Sequence, residues 1–261
     1  MIRVVAARSL ISMATLAAVA CAPAEPDPAD ESLEGLWVER VTYAQDWVWD
    51  ESAVDLTEEG FLLTTDLGYE VEVELAWLTT YTVALVPCPE PVEDEPFAAL
   101  GRWLLPAAHA GHGGDLDPSA MDQAFVDDFS APQVTTLGTV EHPAARYCRV
   151  HLLSAAAPEG ARGTAPADAQ GSTLLLEGRA RAPGAAEWTD ISVDTSLANG
   201  VFVDLPSSLA IDGSMAVTLH RRLDTLLNGI EWSFDSQAQI ERQLLLNLMA
   251  DVSLDATSVD P

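Results

Sequence analysis

A run of alternating residues in the first third of the chain constrains the fold most strongly. Tyr69, Val71, Val73, Leu75 and Trp77 alternate with glutamates at positions 70, 72 and 74. Successive side chains of a β-strand point to opposite faces, so the apolar residues share one face and the glutamates the other. The pattern predicts a half-buried strand whose acidic face is turned to water.

Other short segments of this kind follow, separated by turns that contain Gly, Pro or Asn. Near the end, Ser236 and Gln239 form a capping-box pattern, which predicts the start of an amphipathic helix over residues 237–250. Many short strands with little helix are typical of a mainly β protein. We therefore predict an antiparallel β-sandwich, with an immunoglobulin-like layout as one arrangement, that carries a long inserted loop and a C-terminal helix.

The predicted domain covers residues 35–252, and residues 253–261 are expected to form a disordered tail. An insertion rich in Pro, Gly and Asp occupies about residues 89–133. Loops of that length are uncommon in compact domains and are usually functional or disordered. A division into two subdomains near the small-residue loop at 155–170 is the alternative.

The first twenty residues have the order of an export signal. Arg3 and Arg8 precede an apolar stretch at residues 10–20, and Cys21 follows directly. This arrangement resembles a bacterial lipoprotein signal, and the resemblance implies that Cys21 carries lipid after cleavage. Ala22 follows the cysteine where an inner-membrane sorting signal has Asp, which implies the outer membrane. An ordinary secretory signal cut near Ala22 or Ala24 is the alternative.

Residues 21–34 are rich in Pro and acid and are interpreted as an extended tether. The whole chain has 41 acidic residues against 12 basic ones, for a formal net charge of −29. Such a surface repels nucleic acid and anionic headgroups, so we expect neither as a partner and expect membrane contact only through the lipid.

With Cys21 assigned to lipid, Cys88 and Cys148 remain as an even pair in an exported protein. Exported cysteines usually oxidise, so we predict a disulfide between them. Two thiolate metal ligands are the alternative.

Four of the five histidines fall in or beside the inserted loop: His109, His112, His142 and His151. Three or four neutral imidazoles suit Cu(II) or Zn(II), so these residues are the candidate metal ligands. Calcium binding through the nearby aspartates is a weaker candidate, because Asp115-x-Asp117 starts like a calcium loop but lacks the later Gly and Glu. The common hydrolase, metalloprotease and nucleotide-binding motifs are absent from the sequence, so we expect no enzyme activity.

Four short stretches carry a further resemblance: residues 65–71, 76–78, 85–88 and the Ala-His-Ala-Gly-His segment at 108–112. They resemble uncharacterised exported lipoproteins of environmental bacteria, some loosely similar to periplasmic copper-associated β-sandwich proteins. The resemblance implies a metal-related exported role. The predicted function is an envelope-anchored, non-catalytic lipoprotein that binds copper or zinc through its His-containing loop. A β-sandwich adhesion or assembly module without metal is the alternative.

Overall fold

The longest strand, Glu70–Pro87, runs through the centre of the larger of two sheets. In the computed structural model, the described residues are 37–88, 120–143, 146–163, 169–210 and 214–258. These ranges contain the following elements: β1 Trp37–Val48, β2 Val54–Leu56, β3 Phe61–Thr64, β4 Glu70–Pro87, β5 Phe125–Asp128, β6 Thr135–Pro143, β7 Arg146–Ser154, β8 Arg162–Gly163, β9 Leu174–Arg181, β10 Thr189–Thr195, β11 Asn199–Ala210, β12 Met215–Arg222, α1 Gln237–Ala250 and β13 Ser253–Ser258.

The smaller sheet has the strand order β13-β12-β1-β6, in which β1 runs parallel to β12 and antiparallel to β6. The larger sheet follows the order β10-β9-β4-β3-β2, and β5, β7, β8 and β11 extend it. The first half of β4 pairs with β3 and β9, and the second half pairs with β7. A long central strand therefore ties both halves of the larger sheet together.

The two sheets share a core, which confirms the predicted mainly β, sandwich-like fold. One buried cluster joins Tyr43 and Leu219 of the smaller sheet to Val83, Leu85 and Val150 of the larger one. A second buried cluster lies between the first half of β4, the 223–230 segment and α1. The apolar area that these two clusters remove from water is the main contribution to the stability of the fold.

The C-terminal helix is confirmed at the predicted place. The Ser236 backbone N–H donates to Gln239 Oε1 at 3.0 Å, as a capping box requires. The predicted apolar stripe is the buried side of the helix, and its members are Ile240, Leu244, Leu245, Leu248 and Met249.

Two predicted boundaries are wrong. Residues 253–258 are not a tail but strand β13, which pairs with β12 and buries Leu254. The described part of the predicted insertion contains strand β5, which pairs with β4 and buries Phe129 just beyond its end. Both strands are short, with two Asp among the four residues of β5 and four Ser, Asp or Thr among the six of β13. Their local sequences therefore resemble loops, and pairing with a neighbour makes them strands.

Two irregularities change which side chains of β4 enter the core. Pairing with β9 shifts between Val73 and Leu75, and pairing with β7 shifts between Thr80 and Thr82. An extra residue in one strand moves every later side chain to the other face. Trp77 is consequently not on the core face predicted for it, and Leu78 and Thr80 are buried instead.

Candidate functional site

His142 is a buried residue at the end of β6. Its Nε2 lies 3.0 Å from the Tyr43 hydroxyl, and its ring meets those of Tyr43 and Tyr147 edge to face at 6.1 and 5.6 Å. Tyr43 and Tyr147 both belong to the shared core. His142 is therefore part of an aromatic core contact between the two sheets.

His151 lies on the outer face of the larger sheet. Its neighbours along β7, Val150 and Leu152, are buried in the core, whereas its own ring stacks on Phe202 of β11 at 4.6 Å and 23°. Burial lowers the pKa of His151, so the imidazole is neutral at neutral pH. The structure thus places His142 and His151 on opposite sides of the β7 strand and does not bring them together.

The other two candidate ligands, His109 and His112, and the lipidation residue Cys21 lie outside the described residues. Within the described ranges, no group of three or more His, Cys, Asp or Glu side chains is placed to hold a metal ion. The fifth histidine, His220, has Nδ1 3.2 Å from an Asp46 carboxylate oxygen and Nε2 3.1 Å from an Asp255 carboxylate oxygen. It links β1, β12 and β13 on the outer face of the smaller sheet.

A disulfide joins Cys88 and Cys148, as predicted, with the two Cα atoms 4.8 Å apart. Cys88 follows β4 directly, and its backbone N–H donates to the Arg146 carbonyl at 2.9 Å. Cys148 has no partner in the β4 pairing, since Arg149 is opposite Val86 and Tyr147 is opposite Pro87. The disulfide therefore fixes the two strands where their regular pairing is interrupted.

The acidic face of β4 is matched by arginines of β9. Arg179 Nε donates to Glu72 Oε2 at 2.7 Å, and Arg181 pairs with Glu70. Both guanidinium groups also lie over the Trp188 ring, at 5.1 and 4.7 Å from its centroid. The first two glutamates of the alternating run are thus paired with cations of this chain.

An exposed aromatic group lies on the outer face of β7 and β11, and we call Arg149, His151 and Phe202 the Phe202 face. Phe202 is 55% exposed, and the Arg149 guanidinium lies 5.2 Å from its ring centroid. Arg149 and the stacked His151 both belong to β7. Among the described strands, β11 pairs only with β7, so this face lies at an edge of the sheet.

Five polar side chains meet inside the sandwich, and we call them the polar cluster: Gln45, Trp47, Thr80, Asp127 and Arg221. Gln45 Oε1 accepts hydrogen bonds from Arg221 Nε at 2.9 Å and from the Thr80 hydroxyl at 3.1 Å. Asp127 Oδ2 accepts from Gln45 Nε2 at 2.9 Å and from Trp47 Nε1 at 2.8 Å. All five side chains are buried, and they come from both sheets.

Among the described residues, Arg221 has the largest fully buried side chain. Its Nη1 donates to the Leu248 carbonyl of α1 at 3.0 Å. Burial lowers its pKa to about 10, and the negative charge of Asp127 opposes that shift. Arg221 therefore remains a cation at neutral pH, with Asp127 as the nearby carboxylate that offsets the burial.

No sequence motif singled out the polar cluster. One signal was present: Gln45 occupies an inward position of β1 between Tyr43 and Trp47, and Arg221 occupies one of β12 after Leu219. A polar residue at an apolar position of an alternating strand requires a buried partner.

In comparisons with known proteins, no protein family, no curated protein and no solved structure matches the chain. In the described part of the chain, no helix is long and apolar enough to cross a membrane.

Proposed function

We propose that this protein is an exported, lipid-anchored envelope lipoprotein whose β-sandwich is a non-catalytic binding module of the adhesion or assembly kind. The order of basic, apolar and small residues before Cys21 supports the anchor, and Ala22 supports the outer membrane as its location. The Phe202 face is the observation that carries the binding role.

The Phe202 face suits protein contact for a physical reason. Residues that contribute most to protein interfaces are enriched in aromatics and Arg that are held in place before binding. Phe202 is aromatic, and it is held in place before binding because His151 stacks on its ring and Arg149 lies close to it. The disulfide of Cys148, the residue before Arg149 on β7, adds rigidity to the same strand.

Copper or zinc binding is the competing function. His142 and His151 face different surroundings, so they do not complete one ligand set with each other. This alternative therefore depends on His109 and His112 with at most one of these two histidines.

We expect the substitution Cys21→Ser to release the protein from the membrane fraction. The reason is that a thioether-linked lipid requires the cysteine sulfur, and the tether has no apolar run that would replace it. The measurement is fractionation of cells that express each form, with immunodetection of the protein. Membrane association equal to that of the wild type would contradict the lipid anchor.

We expect the substitution Phe202→Ser to weaken partner binding at least about tenfold, the scale expected for an exposed aromatic anchor. The measurement is the yield of covalent adducts after cross-linking in intact cells. Phe234→Ser is the matched control, since Phe234 is 83% exposed and lies in the 223–235 segment rather than on β11.

Equal adduct yields for both variants would contradict the role of the Phe202 face. Metal analysis of the purified protein distinguishes copper or zinc binding from the binding-module proposal. The metal-binding role would replace the binding module if two results were obtained together. The wild type would contain copper or zinc that a His109→Ala/His112→Ala double variant lacks, and Phe202→Ser would give unchanged adducts.

A further inference from the structure

The polar cluster places a nucleophile beside an electrophile. The Thr80 hydroxyl oxygen lies 3.1 Å from Gln45 Oε1, the oxygen bonded to the carboxamide carbon Cδ. Thr80 belongs to β4 of the larger sheet and Gln45 to β1 of the smaller one. Both residues are fully buried, so the two groups are held together with no room for solvent between them. Reacting groups that are fixed in this way behave as if at very high concentration.

We propose that Thr80 and Gln45 react with each other to form an intramolecular ester that links the two sheets covalently. The Thr80 Oγ1–Cδ bond of Gln45 forms, and the Cδ–Nε2 bond breaks. The hydroxyl proton is transferred to the departing nitrogen, which leaves as ammonia. Atoms and charge balance without an oxidant, a reductant or any second substrate.

Arg221 occupies the position of a group that stabilises the transition state. Its Nε already donates to Gln45 Oε1 at 2.9 Å, and this oxygen gains negative charge when a hydroxyl adds to Cδ. A fixed cationic donor aimed at such an oxygen, in a site without water, is the arrangement that lowers barriers to acyl transfer. The Thr80 hydroxyl also donates to Oε1, so the carbonyl is polarised from two sides before reaction.

Asp127 contacts the leaving group. Its Oδ2 accepts a hydrogen bond from Gln45 Nε2 at 2.9 Å, and Trp47 Nε1 holds the same oxygen at 2.8 Å. Asp127 pairs with Leu78 across the β4–β5 ladder, and Leu78 precedes Thr80 by two residues on the same strand. A carboxylate that already contacts the leaving nitrogen can pass a proton to it, and the hydroxyl that attacks Cδ supplies that proton.

Burial also explains why such an ester would last. Gln45, Thr80 and Arg221 are enclosed between two apolar clusters, so water is excluded from the product as well as from the reaction. The linkage would join the first described strand of the chain to the central strand β4. It does not depend on the binding role proposed for the Phe202 face, because the two sites share no residue.

The test is the intact mass of the purified full-length protein after prolonged incubation at neutral pH, followed by a peptide map. The expected wild-type mass is lower than that of the unlinked, otherwise processed chain by one ammonia. The map is expected to contain a branched peptide in which the Thr80 and Gln45 segments are joined. Thr80→Val, which removes only the hydroxyl at similar volume, is expected to retain the ammonia. Asp127→Asn is expected to slow its loss at least about tenfold, the usual minimum effect of a general acid–base group.

Thr82→Val is the matched control, because Thr82 is on the same strand and its hydroxyl has no hydrogen-bond partner within the described residues. It is expected to lose ammonia like the wild type. Cyclisation at Asn199-Gly200 also releases ammonia, but it would persist in Thr80→Val and would give no branched peptide. A wild-type map with separate, unmodified Thr80 and Gln45 peptides would overturn the proposal. That map requires no variant, so a failure of Thr80→Val to fold does not affect the decision.

Discussion

Replacing Asp127 by Leu is expected to lower the free energy of unfolding by about 3–5 kcal/mol, the usual cost of removing one partner from a buried pair of charges. Arg221 is fully buried and stays charged at neutral pH, and among the described residues Asp127 is the carboxylate that raises its pKa. Without Asp127 the guanidinium keeps its burial penalty but loses its counter-charge. Trp47 Nε1 and Gln45 Nε2 lose their acceptor at the same time. Denaturant unfolding at neutral pH measures the change.

The double variant Asp127→Leu/Arg221→Met is the control. Removing both charges and filling the space with apolar side chains is often neutral or stabilising, so we expect the double variant to be more stable than Asp127→Leu alone. The intact mass of each preparation is measured first, because an ester between Thr80 and Gln45 would add stability of its own and is detected by the loss of ammonia. Additive losses in the double variant would contradict the coupling between Asp127 and Arg221.

The features that the sequence predicted correctly are those with a local cause. The C-terminal helix was predicted because the apolar spacing and the Ser236–Gln239 capping box both act within a few residues. The disulfide was predicted because an exported chain with two remaining cysteines has few alternatives. The first half of β4 was predicted because Val71 and Val73 alternate with glutamates and no irregularity intervenes.

The features that were missed have a non-local cause. The register shift after Val73 depends on how β9 pairs with β4, and nothing in the β4 sequence indicates it. That shift takes Trp77 out of the core and turns Thr80 into it, so the polar cluster was not visible in the alternation. Asp127 falls within the predicted insertion at 89–133, and strand β5, which positions it, is only four residues long.

Two of the four candidate metal ligands, His142 and His151, lie apart for the same kind of reason. His142 and His151 are nine positions apart, but β6 belongs to the smaller sheet and β7 to the larger one. Although the two residues are close in sequence, the ring of His142 lies in the core and the ring of His151 lies on the outer face. Clustering of histidines along a chain is therefore weak evidence for a common site in a two-sheet fold.

Removing the disulfide is the second substitution expected to have a large effect. In a Cys88→Ala/Cys148→Ala variant, the free energy of unfolding is expected to fall by about 4 kcal/mol, because a cross-link across a long loop restricts the unfolded chain. The two cysteines are 60 positions apart, which places this disulfide at the more stabilising end of the range. Denaturant unfolding with and without reductant measures the loss, and reductant is expected to change the wild type but not the variant.

The position of the disulfide predicts where the remaining structure loosens. Cys148 lies where the β4–β7 pairing is interrupted, so no regular ladder hydrogen bond replaces the lost covalent link. Hydrogen exchange is therefore expected to accelerate in β7 and in its edge partner β11 before it does so in β12 or α1, and the Phe202 face should lose rigidity with them. A loss of stability below about 1 kcal/mol, or uniform acceleration across both sheets, would mean that strand pairing alone fixes this end of the larger sheet.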